Sequence, residues 1–245
     1  MNNLIILLLL PIIAAILLAF NNNPRTSKWI ALLLSSLQLV LTIPFLCAFV
    51  PDASIQFEQS YVWISSLGVR FHIGLDGISL PLVLLTNGLI PLIVLSSFAK
   101  DFKGYFYSLV LCMQAGLLLV FLALDAFTFY VGWEVALIPI YFICALFGEG
   151  DRVKVNLKFF IYTFIGSLFM LVAILYLYQQ TSTKDFEWTS FRALALDESQ
   201  QRWIFWAFFL AFAIKIPIFP FHTWQPDTYT NAPTAGTMLL AGIML

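Results

Sequence analysis

Two ionisable residues stand where a charge is most costly. Glu134 lies in FTFYVGWEVALIPIYFI and Lys215 in FWAFFLAFAIKIPIFPF, both within long apolar runs. An ionised group in hydrocarbon costs roughly 3 kcal/mol on insertion scales. A carboxylate and an amine placed there can each be neutral or charged, and moving one charge changes the proton affinity of the other. That is the chemistry of a proton relay; the same pair could instead be a structural ion bridge, or the lysine could snorkel to the interface. Pro217 and Pro220 follow Lys215 closely. Proline lacks an N–H and clashes with the preceding turn, so the helix should kink or open there. Broken helices at membrane depth accompany ion sites in transporters. His222 lies just beyond, and histidine titrates near neutrality, which suits a relay as well as an interfacial turn. Lys158, at the mouth of NLKFFIYTFIGS, either extends the pair into a triad or snorkels.

The elements that must hold these residues follow from composition. The 245 residues are 61% hydrophobic and only 10% charged, with 12 Lys+Arg, 13 Asp+Glu and a net charge of −1. A soluble domain carries about 25% charged residues. Too few charges exist here to coat a water-soluble surface, and no basic face exists for nucleic acid. About 20 apolar residues cross a bilayer core. Apolar runs predict spans at about 3–20, 29–50, 78–98, 105–124, 127–147, 157–178 and 203–221, with a further one starting near 232. The fold class expected is therefore an all-α polytopic membrane protein of about seven transmembrane helices plus a truncated eighth, the seventh broken. The first run has no basic start and no small-residue cleavage site, so it reads as a retained helix. The apolar run at the chain end reads as the start of a helix in a longer protein. The polar stretches 51–77 and 179–202 have room for short amphipathic pieces only.

Capping and sidedness are also legible. Asp76 and Asp125 precede predicted helices, where a carboxylate favours a helix start. Pro226 and Asp227 suggest a turn, with Asn231 a candidate cap and Pro233 a first-turn proline for the next helix. Loops after the first, third and fifth spans hold seven basic residues: Arg25, Lys28, Lys100, Lys103, Arg152, Lys154 and Lys158. Loops after the second, fourth and sixth hold Arg70, Lys184, Arg192 and Arg202. The excess places the first set inside and the N-terminus outside. His72 then falls in an outer loop, with no role expected. Cys47, Cys112 and Cys144 are scattered in apolar runs and offer neither metal nor disulfide spacing. The sequence contains no Walker loop, CxxC or HExxH, so no site for a nucleotide, flavin or iron–sulfur cluster is expected.

GLDGISLPLVLLT (74–86), FYVGWEVALIPIYFI (129–143), KFFIYTFIGSLF (158–169) and AIKIPIFPFHTWQPDTYTNAPTAGTMLLAGIML (213–245) together resemble the proton-pumping membrane subunits of respiratory complex I, which are related to Mrp-type cation/proton antiporters. The resemblance covers essentially the whole chain but only the first half of the usual fourteen-helix subunit. It implies three N-terminal helices over 1–104 and a first antiporter-like five-helix repeat over 105–245, incomplete at its end. It places the family's pathway glutamate on Glu134 and its broken-helix lysine on Lys215; His222 is retained. Tyr229 stands where many relatives have His, and Asn231 where many have Glu, which weakens a relay through that turn. A further family lysine would follow the last residue. The implied activity is proton translocation within an NADH:quinone oxidoreductase, a translocase to which this chain contributes no redox-catalytic residue. A proton from the cytoplasmic or matrix side would reach Lys215, with Glu134 governing its discharge. FMN, iron–sulfur clusters, NADH and quinone would belong to other subunits. Implied partners are neighbouring antiporter-like and other membrane subunits of complex I, and the lipid bilayer. The loop bias and motif match favour a bacterial plasma membrane over a mitochondrial one. Two other readings remain at this point: a monovalent-cation/proton antiporter or membrane-bound hydrogenase subunit, and a structural module in which the pair only holds helices together.

Overall fold

A computed structural model describes residues 3–245 as a helical bundle with one β-hairpin. In chain order the elements are α1 (Ile5–Ala19), α2 (Pro24–Ala48), β1 (Gln56–Ile64), β2 (Val69–Leu75), α3 (Ser79–Ser96), α4 (Gly104–Leu122), α5 (Ala126–Phe147), α6 (Arg152–Gln180), α7 (Trp188–Arg192), α8 (Glu198–Lys215), α9 (Gln225–Asn231) and α10 (Thr234–Leu239), which continues as a π-turn through Met244.

The expectation of about seven spans plus a truncated eighth is overturned. Among the described residues, five helices are long and apolar enough to cross a membrane: α2, α3, α4, α5 and α6. The 15 residues of α1 rise only about 22 Å, short of a roughly 30 Å core. The helix expected at 203–221 is α8, which begins at Glu198, includes Arg202 and stops at Lys215; three charges dilute its apolar stretch. The last apolar run, Thr234–Met244, is also short. The polar stretch 51–77 holds the antiparallel hairpin β1–β2.

Local chemistry explains the helix starts. Asn23 Oδ1 accepts from Arg25 N at 3.0 Å, and Pro24 opens the helix, so α2 begins earlier than the apolar run alone suggests. Asp125 Oδ1 accepts from Thr128 N at 2.8 Å and caps α5. Asp76 Oδ1 accepts from Ile78 N and Ser79 N and starts α3. Two cap expectations fail. Pro226 and Asp227 lie within a short helix, α9, rather than a turn. Asn231 ends that helix with its Nδ2 donating to Asp227 O, and Pro233 occupies the cap of α10.

The connections gather at two ends. At one, Gly104 N donates to Asn21 O at 3.0 Å and Glu149 N to Asn231 O at 2.8 Å, which joins the α1–α2, α3–α4, α5–α6 and α9–α10 turns. At the other, Leu124 N donates to His72 O and Ala126 N to Phe186 O, both at 2.8 Å, which joins the hairpin, the α4–α5 turn and the stretch before α7. The seven basic residues assigned to one side lie on segments of the first end.

Helix α4 is the most enclosed span and packs between α1 and α5. It meets α5 through small residues: a Cβ on Gly116 would sit 2.7 Å from Ala136 N, and one on Gly132 would sit 2.9 Å from Val120 N. Only glycine permits that approach. A polar chain ties α1 to α4. Gln38 Nε2 donates to Leu7 O at 2.7 Å, Thr42 Oγ1 to Gln38 O at 2.9 Å, Asn87 Nδ2 to Thr42 Oγ1 at 2.8 Å, and Gln114 Nε2 to Asn87 Oδ1 at 2.8 Å. All four side chains are buried. The rest of the surface is strongly apolar, with Leu17, Leu33, Val172 and Phe205 facing outward as lipid requires.

Interhelical bonds in membranes are worth about 0.6 kcal/mol on average and up to about 1.7. Asn87→Ala removes two at once and leaves Gln114 Nε2 unpartnered. We expect a loss of about 1–3 kcal/mol in denaturant unfolding of the full-length protein in detergent.

Candidate functional site

Lys215 is the last residue of α8, and the helix ends there because a proline stands two residues on. Pro217 cannot supply an N–H to Ala213 O. Ile218 N takes that carbonyl instead, at 2.8 Å, while Ile216 N donates to Phe212 O at 2.7 Å. The next orphan, Ile214 O, accepts from the indole Nε1 of Trp224 at 2.9 Å. Trp224 is fully buried and packs its ring on Phe159 of α6. The chain between the break and α9 thus folds back so that one side chain closes the opened helix. The predicted break is present, and its freed carbonyls have named partners.

The Lys215 side chain is 8% exposed. Its Nζ sits 5.0 Å from the centre of the Trp133 ring, a cation–π arrangement. Beside it is a cavity of about 200 Å³ lined by Leu117, Val120, Phe212 and Ile243 together with Trp133 and Lys215. Its walls are mostly apolar, so the ammonium is its main polar feature.

Glu134 is the next residue along α5. Its Oε1 is buried without a hydrogen-bond partner among the described residues. No ion pair within 4.0 Å joins it to Lys215. Tyr130, one helical turn earlier, faces both Glu134 and Ser167 of α6. Gly166 lets α6 approach α8, with Ile214 Cδ1 3.0 Å from where its Cβ would be.

Lys158 does not join this group. Its Nζ donates to Thr223 O at 2.7 Å and to Asp227 Oδ2 at 2.9 Å. It bridges α6 to the fold-back segment at the basic end. There Thr223 Oγ1 reaches Tyr162 OH at 3.2 Å. His222 lies on the same segment, its ring near Phe219 and its Nδ1 buried without a partner among the described residues. Of the four candidates, Glu134 follows Trp133, over whose ring the Lys215 ammonium sits, and Lys158 bonds the segment that carries His222. Sequence reasoning missed Trp133, Tyr130, Trp224 and the pairing role of Asp227. Tyr130 could have been found, since it precedes Glu134 by four residues on the same helical face. The others depend on tertiary contact.

Among the described residues no cluster of three His, Cys, Asp or Glu side chains could hold a metal.

The family model described as NADH:quinone oxidoreductase/Mrp antiporter, transmembrane, matches residues 123–245. NADH-quinone oxidoreductase subunit M of Rickettsia typhi is 38% identical over 258 residues, covering 98% of this chain and 51% of its own length. F(420)H(2) dehydrogenase subunit M of Methanosarcina mazei is 37% identical over 96% of this chain and 49% of its own length. A chain of respiratory complex I from Thermus thermophilus with bound NADH superposes with a TM-score of 0.88 at 29% identity, over 97% of this chain and 49% of that one. The chain spans about half the length of the curated relatives it matches.

The closure of the broken helix is testable by itself. Trp224→Phe keeps most of the buried ring but removes the N–H on Ile214 O. An orphaned buried acceptor costs about 1–3 kcal/mol. We expect a lower thermal-inactivation midpoint, while Trp133→Phe, which retains an aromatic face, leaves it nearly unchanged.

Proposed function

The chain belongs to the NADH:quinone oxidoreductase/Mrp antiporter transmembrane family, and from that premise we propose that it provides a proton half-channel in a membrane subunit driven by redox chemistry elsewhere. The observation that carries the proposal is Lys215. It is an amine buried at the open end of a broken helix, over an aromatic face and within electrostatic reach of a carboxylate that it does not touch. Hydrocarbon disfavours an ammonium and a nearby carboxylate favours it, so the balance between them responds to small displacements. A contact ion pair would lock both groups charged. Separated groups leave the lysine free to gain and lose a proton as the distance to Glu134 changes.

The route we infer starts at the basic end. His222 and the Lys158–Asp227 pair lie there, on the segment that folds back below the break. A proton arriving at that end reaches Lys215 past the opened turn. Glu134 then holds the charged lysine or, on moving away, lets it discharge. Residues 105–245 would form the first antiporter-like repeat and 1–104 the helices preceding it. With the basic end inside, the N-terminus and the hairpin face outward across the plasma membrane of a bacterium. Neighbouring antiporter-like and other membrane subunits would flank the chain in the bilayer. NADH, flavin, iron–sulfur clusters and quinone would be handled by other subunits. The two subunit M relatives differ in the electron donor in their names, NADH in one and F(420)H(2) in the other. That difference supports a membrane module that accepts energy without contacting the donor.

The decisive measurement uses the full-length protein in its native complex, reconstituted into vesicles. With Lys215→Met, we expect proton transfer through this chain to fall by at least about a hundredfold, the usual scale for removing a positioned acid–base group. Proton uptake and NADH–quinone turnover would fall together at matched assembly. Glu134→Gln should weaken both less. Unchanged turnover with unchanged proton yield would return Lys215 to a structural role. Sodium-dependent uptake without NADH oxidation would point to a cation/proton antiporter.

A further inference from the structure

A second cluster of titratable groups lies at the opposite end of the molecule and shares no residue with the Glu134–Lys215 site. His72, on β2, sits between two carboxylates. Its Nε2 is 2.7 Å from Glu58 Oε1 and its Nδ1 is 2.7 Å from Glu187 Oε2. Glu58 belongs to β1, two residues before Ser60, the cross-strand partner of His72, and so shares its face of the hairpin. Glu187 lies 115 residues away in sequence, just before α7. Both contacts are short, and each needs a proton between nitrogen and oxygen. A neutral imidazole has one N–H and can supply only one of them. The pair is satisfied when the ring is an imidazolium and donates from both nitrogens. At 2.7 Å on either side, no room remains for a metal ion between ring and carboxylates.

The surroundings supply no other cation. Among the described residues, no lysine or arginine forms an ion pair with Glu58 or Glu187. From the stretch before α7, Lys184 turns its Nζ to Gln179 O, and Asp185 accepts from Glu187 N. From the α4–α5 turn, Asp125 is fully buried and its Oδ2 has no partner among the described residues. Burial, and then the charge of Glu187, hold its carboxyl above the usual range. From β2 itself, Arg70 is exposed, its side chain forms no ion pair among the described residues, and its backbone carbonyl accepts from Thr128 Oγ1. His72 thus stands among acidic side chains that no lysine or arginine pairs with among the described residues.

The backbone around the cluster is built to transmit its state. Leu124 N donates to His72 O, Ala126 N to Phe186 O and Trp188 N to Leu124 O. These bonds stitch hairpin, α4–α5 turn and pre-α7 stretch into one patch. Gly68, at φ +66°, brings the hairpin turn against Lys184 O, where a Cβ would collide.

We propose that His72, Glu58 and Glu187 form a proton-binding latch that fastens the hairpin to the stretch before α7. It is closed while the ring carries its second proton and released when that proton leaves. Closure therefore belongs to the acid side of the histidine titration and is lost as pH rises through it.

Hydrogen–deuterium exchange on the full-length protein in its native complex tests this, at about pH 5.5 to 8.5, either side of the ordinary histidine range, and corrected for intrinsic exchange. The reporters are the peptides containing the Leu124, Ala126 and Trp188 amides. Hydrogen bonds to charged groups predict that their protection falls at least about tenfold from the acid to the alkaline side. His72→Gln and Glu187→Gln should both give low protection at every pH, with the α4 peptides unchanged in each sample as a control for folding. Lys215→Met should leave the profile as in the wild type, which separates this proposal from the proton-pathway reading. Wild-type protection that stays flat across the range overturns the latch, and so does a His72→Gln profile that follows the wild type. If neither buried-contact variant assembles, the wild-type series and Glu58→Gln, at a more exposed carboxylate, decide between the same two outcomes.

Discussion

Hydrocarbon offers no water to a backbone carbonyl, and that constraint governs the break after Lys215. Pro217 removes one N–H from the ladder and ends the helix at the lysine. The structure satisfies carbonyls left behind by the break: Ala213 O by Ile218 N, and Ile214 O by the Trp224 indole. Because Trp224 must reach back to do this, the chain from the break to α9 is folded under α8. That fold-back carries His222, Thr223 and Asp227 to the mouth of α6, where Lys158 meets them. One missing backbone donor thus organises both the end of α8 at Lys215 and the polar stretch below it.

The same constraint acts across the first half of the bundle, with the opposite result. Gln38, Thr42, Asn87 and Gln114 are buried polar side chains, and hydrogen bonds among them and to backbone carbonyls form a chain from α1 to α4. None of them titrates, so the chain fixes helix positions without offering a place for charge. The glycine contacts between α4 and α5 complete the scaffold by bringing the backbone carrying Trp133 and Glu134 close to α4.

Electrostatics divides the molecule end from end. Basic residues collect with the turns next to the fold-back, whereas the hairpin end gathers Glu58, Asp125 and Glu187 around a single histidine. Each end carries a short polar contact that links segments far apart in the chain, Lys158 to Asp227 at one and His72 to Glu187 at the other. Both contacts lie outside the apolar middle of the bundle. The middle retains only the separated pair.

Much of this was legible in the residues themselves. Charges at positions 134 and 215 stand out against apolar runs because hydrocarbon makes them costly, and the prolines after 215 announce the break because their effect is local. Asp76 and Asp125 are readable as caps for the same reason. The number of spans was not readable by apolar run alone, since α1 is short and α8 shares its length with Glu198, Arg202 and Lys215. The hairpin was hidden because its polar and aromatic residues alternate irregularly across two bulged registers. Tertiary structure alone decided that Lys158 pairs with Asp227, 69 residues away, and not with Glu134, and that His72 stands between Glu58 and Glu187. Sequence determines which groups are costly to bury and where the backbone must stop, because those depend on a residue and its near neighbours. Which distant group relieves that cost depends on how the helices pack, and only the folded chain determines it.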